Sequence, residues 1–171
     1  FDMLENYFVT QGREWERYAW IKARVMLGER WPELEQLARP FVFRKYLDVG
    51  AINAMRELHA QIRREVARRE RANNATLGPG GIREIEFFAQ TRQLIVGGRD
   101  PELRQRRTLA ALAALTAKAW VQPGVAEELS AAYVEHRTLE HRLQMLEDAQ
   151  TQRMPVGAEA MARLVDFCGA D

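Results

Sequence analysis

Hydrophobic positions recur along this chain in steps of three and four, and almost nowhere in steps of two. Ile52, Met55, Leu58, Ile62 and Val66 follow that spacing inside a stretch of about 49–72, which reads as an amphipathic helix. Near the end, Leu129, Ala132, His136, Leu139, Leu143 and Leu146 form a 3-4-3-4-3 seam suited to packing against other helices, so a long helix is predicted over about 124–148. Glycine and proline fall mostly between such stretches, where they end them. The remaining predicted helices cover about 2–10, 13–27, 31–45 with Pro40 bending or dividing it, 82–96 and 107–119. No stretch alternates long enough to claim a strand. The expected fold is all-α, a bundle of about six to eight helices without a substantial sheet.

Composition narrows the class. With 171 residues and 47% hydrophobic content, the chain suits one domain with a real core. Its 25 basic and 24 acidic residues nearly cancel, which argues against nucleic-acid binding through bulk charge while leaving local basic patches open. A single cysteine, Cys168, forms neither an internal disulfide nor a cysteine metal cluster, and fits a cytoplasmic setting. No apolar run nears the roughly 18–20 residues of a membrane span. The chain opens at Phe1 in helical pattern and stops inside another, so it reads as a piece of a longer polypeptide.

Chemistry is sought where charge interrupts the apolar pattern. At 100° per residue, Trp15, Tyr18, Ala19, Lys22, Val25 and Met26 share one helix face, which sets Lys22 in an apolar stripe. Either its stem packs flat and the ammonium reaches solvent, or the lysine meets a phosphate or carboxylate at a domain interface. Arg17 and Arg24 fall on the opposite face, as a solvated basic surface or an anion site. Further on, LGPGGIREIEF (77–87) joins a glycine turn to a helix that begins at Ile82. Helix starts leave backbone N–H groups unpaired and attract anions, although glycine turns also cap ordinary helices. On this helix Arg83, Glu86, Gln90 and Gln93 form a polar stripe about 80° wide, while Glu84 projects between Phe87 and Phe88. Burying that carboxylate unpaired costs several kcal/mol, so an Arg or Lys partner is expected, with Lys22 first in line. The outcome is either a structural ion pair or a prop for an active site on a neighbouring domain.

Arg63, Arg64, Arg68, Arg69 and Arg71 crowd the end of the 49–72 helix, as a solvated terminus or a partner surface. His59, His136 and His141 lack metal-site spacing, and no complete catalytic set is present.

Four runs in one order, ENYFVTQGREWERYAWIKARV (5–25), RPFVFRKYLDVGAI (39–52), LGPGGIREIEFFAQTRQLIVGGRDPELR (77–104) and EHRLQMLEDAQTQRMP (140–155), resemble the bifunctional glutamine-synthetase adenylyltransferase/adenylyl-removing enzymes. The likeness is better to the first of their two homologous halves, and a related uridylyltransferase carries a similar helical module. The resemblance implies an enzyme that adds AMP from ATP to a tyrosine of glutamine synthetase and removes it by phosphorolysis, giving ADP. It implies that Mg²⁺ and the nucleotide, ATP, phosphate or ADP, are held by a nucleotidyltransferase domain just upstream of Phe1. This chain alone is then inactive and binds no cofactor. Its partners are that domain, glutamine synthetase and a nitrogen-signalling regulator, with neither nucleic acid nor membrane among them. Residues 1–155 correspond to the helical domain and 156–171 to the start of the next helix. Gly12, Arg13, Trp15, Glu16, Arg17, Tyr18, Lys22 and Arg24 match the family's GRxWERYxxIKAR motif, and Gly80, Gly81, Arg83, Glu84 and Glu86 match its GGIREIEF motif. Thr76 stands where the family commonly has lysine, which weakens a phosphate role for the following turn.

Overall fold

The computed structural model describes residues 1–46, 50, 53, 54, 56–58, 60, 61, 64, 78 and 80–169. Among these the fold is all-helical and contains no strand. Seven α-helices are delimited: α1 (Asp2–Thr10), α2 (Glu14–Lys22), α3 (Trp31–Val42), α4 (Ile82–Val96), α5 (Thr108–Ala117), α6 (Pro123–Glu147) and α7 (Ala158–Cys168), with a 3₁₀ turn at Pro101–Leu103. The described positions between 50 and 64 are helical as well, as the apolar spacing there predicts. Two predicted boundaries move: α2 stops at Lys22 and α3 at Val42, both earlier than the sequence suggested. Pro40 lies inside α3 and does not divide it.

Cα packing resolves two compact units. One comprises Phe1–Ala60 and Phe87–Ala126, the other Gln61–Glu86 and Glu127–Asp171. The core of the first is aromatic. Phe8 of α1 stacks on Phe41 of α3 at 4.4 Å between ring centroids and meets Trp20 of α2 edge-on at 5.3 Å. Such pairs add about 0.5–1.5 kcal/mol beyond area burial. Gly12, between α1 and α2, leaves room for this stack, because a β-carbon there would lie 2.5 Å from the Phe41 ring. Tyr18 stacks on Phe87 at 4.6 Å and shares a hydrogen bond with Thr91, so α2 lies on the later part of α4.

The turn after α4 is set by glycine and glutamine. A β-carbon on Gly98 would fall 1.9 Å from the Arg44 carbonyl oxygen, so this close approach admits only glycine. Gln93, 1% exposed, donates both amide hydrogens, to the carbonyls of Leu103 at 2.7 Å and Gln105 at 2.8 Å. Asp100 caps the 3₁₀ turn through the Glu102 N–H. Ala111, Leu112 and Leu115 bury one face of α5. In the second unit, Leu143 of α6 and Leu164 of α7 are buried, and Arg142 donates to the last carbonyl of α7, Cys168, at 3.0 Å.

Candidate functional site

The face of α2 that the structure buries differs from the one its apolar residues predict. Arg17, Tyr18 and Ile21 point inward, whereas Trp15, Ala19, Val25 and Met26 are exposed. Arg17, expected on a solvated basic face, has no exposed surface. Its Nε and Nη2 donate to the Val42 carbonyl at 3.1 and 2.8 Å, and Nη1 to Glu14 at 2.6 Å. A guanidinium thus closes the C-terminal end of α3, where unpaired carbonyls and the helix dipole favour positive charge. Burial pulls the Arg17 pKa down from its ordinary value while the bond to Glu14 opposes that. Hydrophobic periodicity gives no sign of a buried arginine, because arginine counts as polar; Glu14 three residues earlier is the signal in the sequence. Arg24 lies beyond the end of α2 and is exposed, so it shares no helix face with Arg17.

The start of α2 is fixed by its own motif. Glu16 accepts the Arg13 N–H at 2.7 Å, one half of a capping box; the other half is missing because an arginine side chain has no acceptor. The Tyr7 hydroxyl donates to the other oxygen of Glu16. The Arg13 backbone bond first, and the Tyr7 bond second, hold the Glu16 carboxyl below the usual glutamate value. At the other end of α2, Lys22 is half-buried and its ammonium donates to the Thr108 hydroxyl at 2.7 Å. The lysine therefore engages the start of α5 within the first unit.

In the second unit, the glycine turn and the first turn of α4 form a closed local motif. Gly80 takes a positive φ of +73°, and its N–H is accepted by Glu84 Oε2 at 2.9 Å. The Gly81 N–H is bonded to the Gly78 carbonyl, and the Gly81 carbonyl accepts from Glu84 and Ile85. Two of the backbone donors that the sequence offered to an outside anion are thus satisfied within the chain. Glu84 is half-buried, Arg83 exposed and Gly81 buried. Of the arginines at the end of the 49–72 helix, Arg64 is exposed, while Arg63, Arg68, Arg69 and Arg71 lie outside the described residues, as does Thr76.

A cluster that sequence reasoning did not single out surrounds Glu86. The Tyr133 hydroxyl and Arg137 Nη2, both on α6, donate to Glu86 Oε1 at 3.1 Å each. Arg137 also donates to the Tyr133 oxygen and, at 2.7 Å, to the buried Glu140. Burial works against the Arg137 charge, but the bonds to Tyr133 and Glu140 prevail and raise its pKa. Tyr133, Arg137 and Glu140 lie three and four apart, one helix face, and that spacing was the overlooked clue. Among the described residues no group of His, Cys, Asp and Glu is arranged to hold a metal ion, and no helix is long and apolar enough to cross a membrane.

Comparison with known proteins places this arrangement. The family model described as GlnD PII-uridylyltransferase matches residues 56–171, and that described as glutamate-ammonia ligase adenylyltransferase matches residues 1–39. Both descriptions are of nucleotide-transferring enzymes, so the class is an all-helical segment of a nucleotidyltransferase. The chain is 66% identical over 170 residues to a bifunctional glutamine synthetase adenylyltransferase/adenylyl-removing enzyme of Aromatoleum aromaticum, an alignment covering 98% of this chain and 18% of the relative. Enzymes of the same description from Chromobacterium violaceum and Pseudomonas putida are 56% and 47% identical, each over 99% of this chain and 19% and 18% of the relative. The chain belongs to the family of bifunctional glutamine synthetase adenylyltransferase/adenylyl-removing enzymes. It spans about a fifth of the length of these relatives.

Proposed function

We propose that this chain is the helical, non-catalytic part of an enzyme that adenylylates and deadenylylates glutamine synthetase, packing against a nucleotidyltransferase cleft. There it supports phosphorolytic removal of AMP from a tyrosine. The observation that carries the reading is the 66% identity over nearly the whole chain to an enzyme named for those two activities. Among the described residues, Glu16, Arg17 and Arg137 are tied into helix ends and short networks, a structural use of charge that suits a supporting segment. Mg²⁺ and the nucleotide would be held by the nucleotidyltransferase domain of the parent enzyme. Residues 1–155 would form the helical domain, with α7 leading into the next segment.

Two groups are assigned to supporting the cleft. Lys22, held by Thr108, and Glu84, held by the Gly80 amide, are charged, half-buried and fixed in place. Arg24, Arg83 and Glu86 are their neighbours in the two family motifs. In the intact parent enzyme, Lys22→Ala and Glu84→Ala should each slow release of ADP from adenylylated glutamine synthetase and phosphate by roughly tenfold or more. Unchanged phosphorolysis in both variants, with native circular dichroism, would reject the supporting role.

A second reading is the equivalent helical module of a uridylyltransferase, favoured by the longer of the two model matches, residues 56–171. Uridylylation of a PII-type protein by the intact parent, without modification of glutamine synthetase, would select it.

A further inference from the structure

The turn after α3 gathers more positive charge than the near-neutral chain requires. Arg104 lies 5.4 Å from the centroid of the Phe43 ring, and Lys45 and Arg99 each lie 5.6 Å from that of Tyr46. Arg99 also donates to the Lys45 carbonyl at 3.3 Å. Arg39 on the last turn of α3 is near enough to Arg104 to repel it; burial first and that repulsion second lower the Arg104 pKa, while the Asp100 carboxylate opposes them. Among the described residues none of these four cations forms a salt bridge to a carboxylate. The neighbouring Arg44, by contrast, is paired with Glu14 at 3.2 Å.

Lys45, Arg99 and Arg104 are held on aromatic rings and backbone carbonyls and not in salt bridges, so their charge stays available to an anionic surface opposite. The backbone beneath them is held: Gly97 and Gly98 press on Phe43 and the Arg44 carbonyl, and Arg104 bonds the carbonyls of both glycines. Tyr46 is 69% exposed between its two cations. Tyrosine and arginine on a fixed backbone are the residues that dominate protein–protein contacts, because little ordering cost remains to be met on binding. The exposed side chains project outward, which suits a macromolecular face better than a recess enclosing a small molecule.

We propose that the Arg39–Tyr46 turn, with Arg99 and Arg104 from the turn after α4, is a docking surface for carboxylates on glutamine synthetase. The proposal rests on the function above, because glutamine synthetase is the protein that the relatives' names give as the one modified. It places docking at a different site from the Arg63–Arg71 cluster that the sequence offered.

The test uses the full-length parent enzyme and adenylylated glutamine synthetase. The double charge reversal Lys45→Glu/Arg99→Glu should raise KM for glutamine synthetase about tenfold or more, with kcat within about twofold of the parent value. Tyr46→Ala should raise KM in the same direction, and increasing salt should raise the parent's KM while barely affecting the double variant. Arg163→Glu, an exposed arginine on α7, serves as the control and should leave KM unchanged. An unchanged KM in the double variant, a fall in kcat alone, or an equal effect from Arg163→Glu would overturn the proposal. A parent that does not modify glutamine synthetase would instead defeat the function on which it rests, and this inference with it. Should the double reversal fold poorly, Lys45→Gln/Arg99→Gln must still raise KM.

Discussion

Arg17 shows how far one side chain can depart from what its type suggests. It is among the most polar residues of α2, yet it is fully buried and joins that helix to the last carbonyl of α3. Its contribution lies in geometry: two parallel donors to one carbonyl and a third to Glu14, a pattern that lysine cannot reproduce. Arg17→Lys should therefore destabilise the chain by about 2–4 kcal/mol, and Arg17→Met by a comparable amount, since each leaves the Val42 carbonyl without its donors. Denaturant titration followed by circular dichroism checks this. A loss of less than about 0.5 kcal/mol for both variants would show that the buried guanidinium is dispensable.

The turn after α4 is a case where shape governs an element. With the Arg44 oxygen 1.9 Å from where its β-carbon would be, Gly98→Ala forces backbone apart from backbone, and no rotamer change can relieve that. We expect it to cost about 2–4 kcal/mol, more than the usual strain of a glycine replacement, because two turns must separate. The same substitution at Gly124 meets nothing within 4 Å and should be nearly neutral or slightly stabilising. A thermal melt of the two variants side by side separates close packing from any general intolerance of alanine. Elements were also what the sequence conveyed best. The α4 boundaries came out at Ile82 and Val96 as read, because glycines bracket a strongly apolar run. The end of α2 is not legible in this way, because Val25 and Met26 continue the apolar spacing although they are exposed beyond the helix end.

For the whole molecule, the all-helical class was legible from periodicity alone, and the family from four motifs in order. The division into two units was not, since two of their three borders fall within α4, between Glu86 and Phe87, and within α6, between Ala126 and Glu127, and the third lies between Ala60 and Gln61, both helical. Linker composition marks boundaries only where the chain is a linker. Side-chain networks were likewise hidden: hydropathy cannot tell that Arg137 meets Glu86, 51 residues away, a span that only folding closes. The 171 residues by themselves should yield no measurable ADP from adenylylated glutamine synthetase and phosphate. Turnover by the isolated chain would overturn the non-catalytic role proposed for it.

The amide of Gln93 carries a further consequence. Both its hydrogens are spent on the carbonyls of Leu103 and Gln105. Deamidation would replace that nitrogen with a negatively charged oxygen facing two other oxygens, turning attraction into repulsion at the centre of the turn. Burial of that side chain keeps water from the one atom whose hydrolysis would turn the surrounding carbonyls against it.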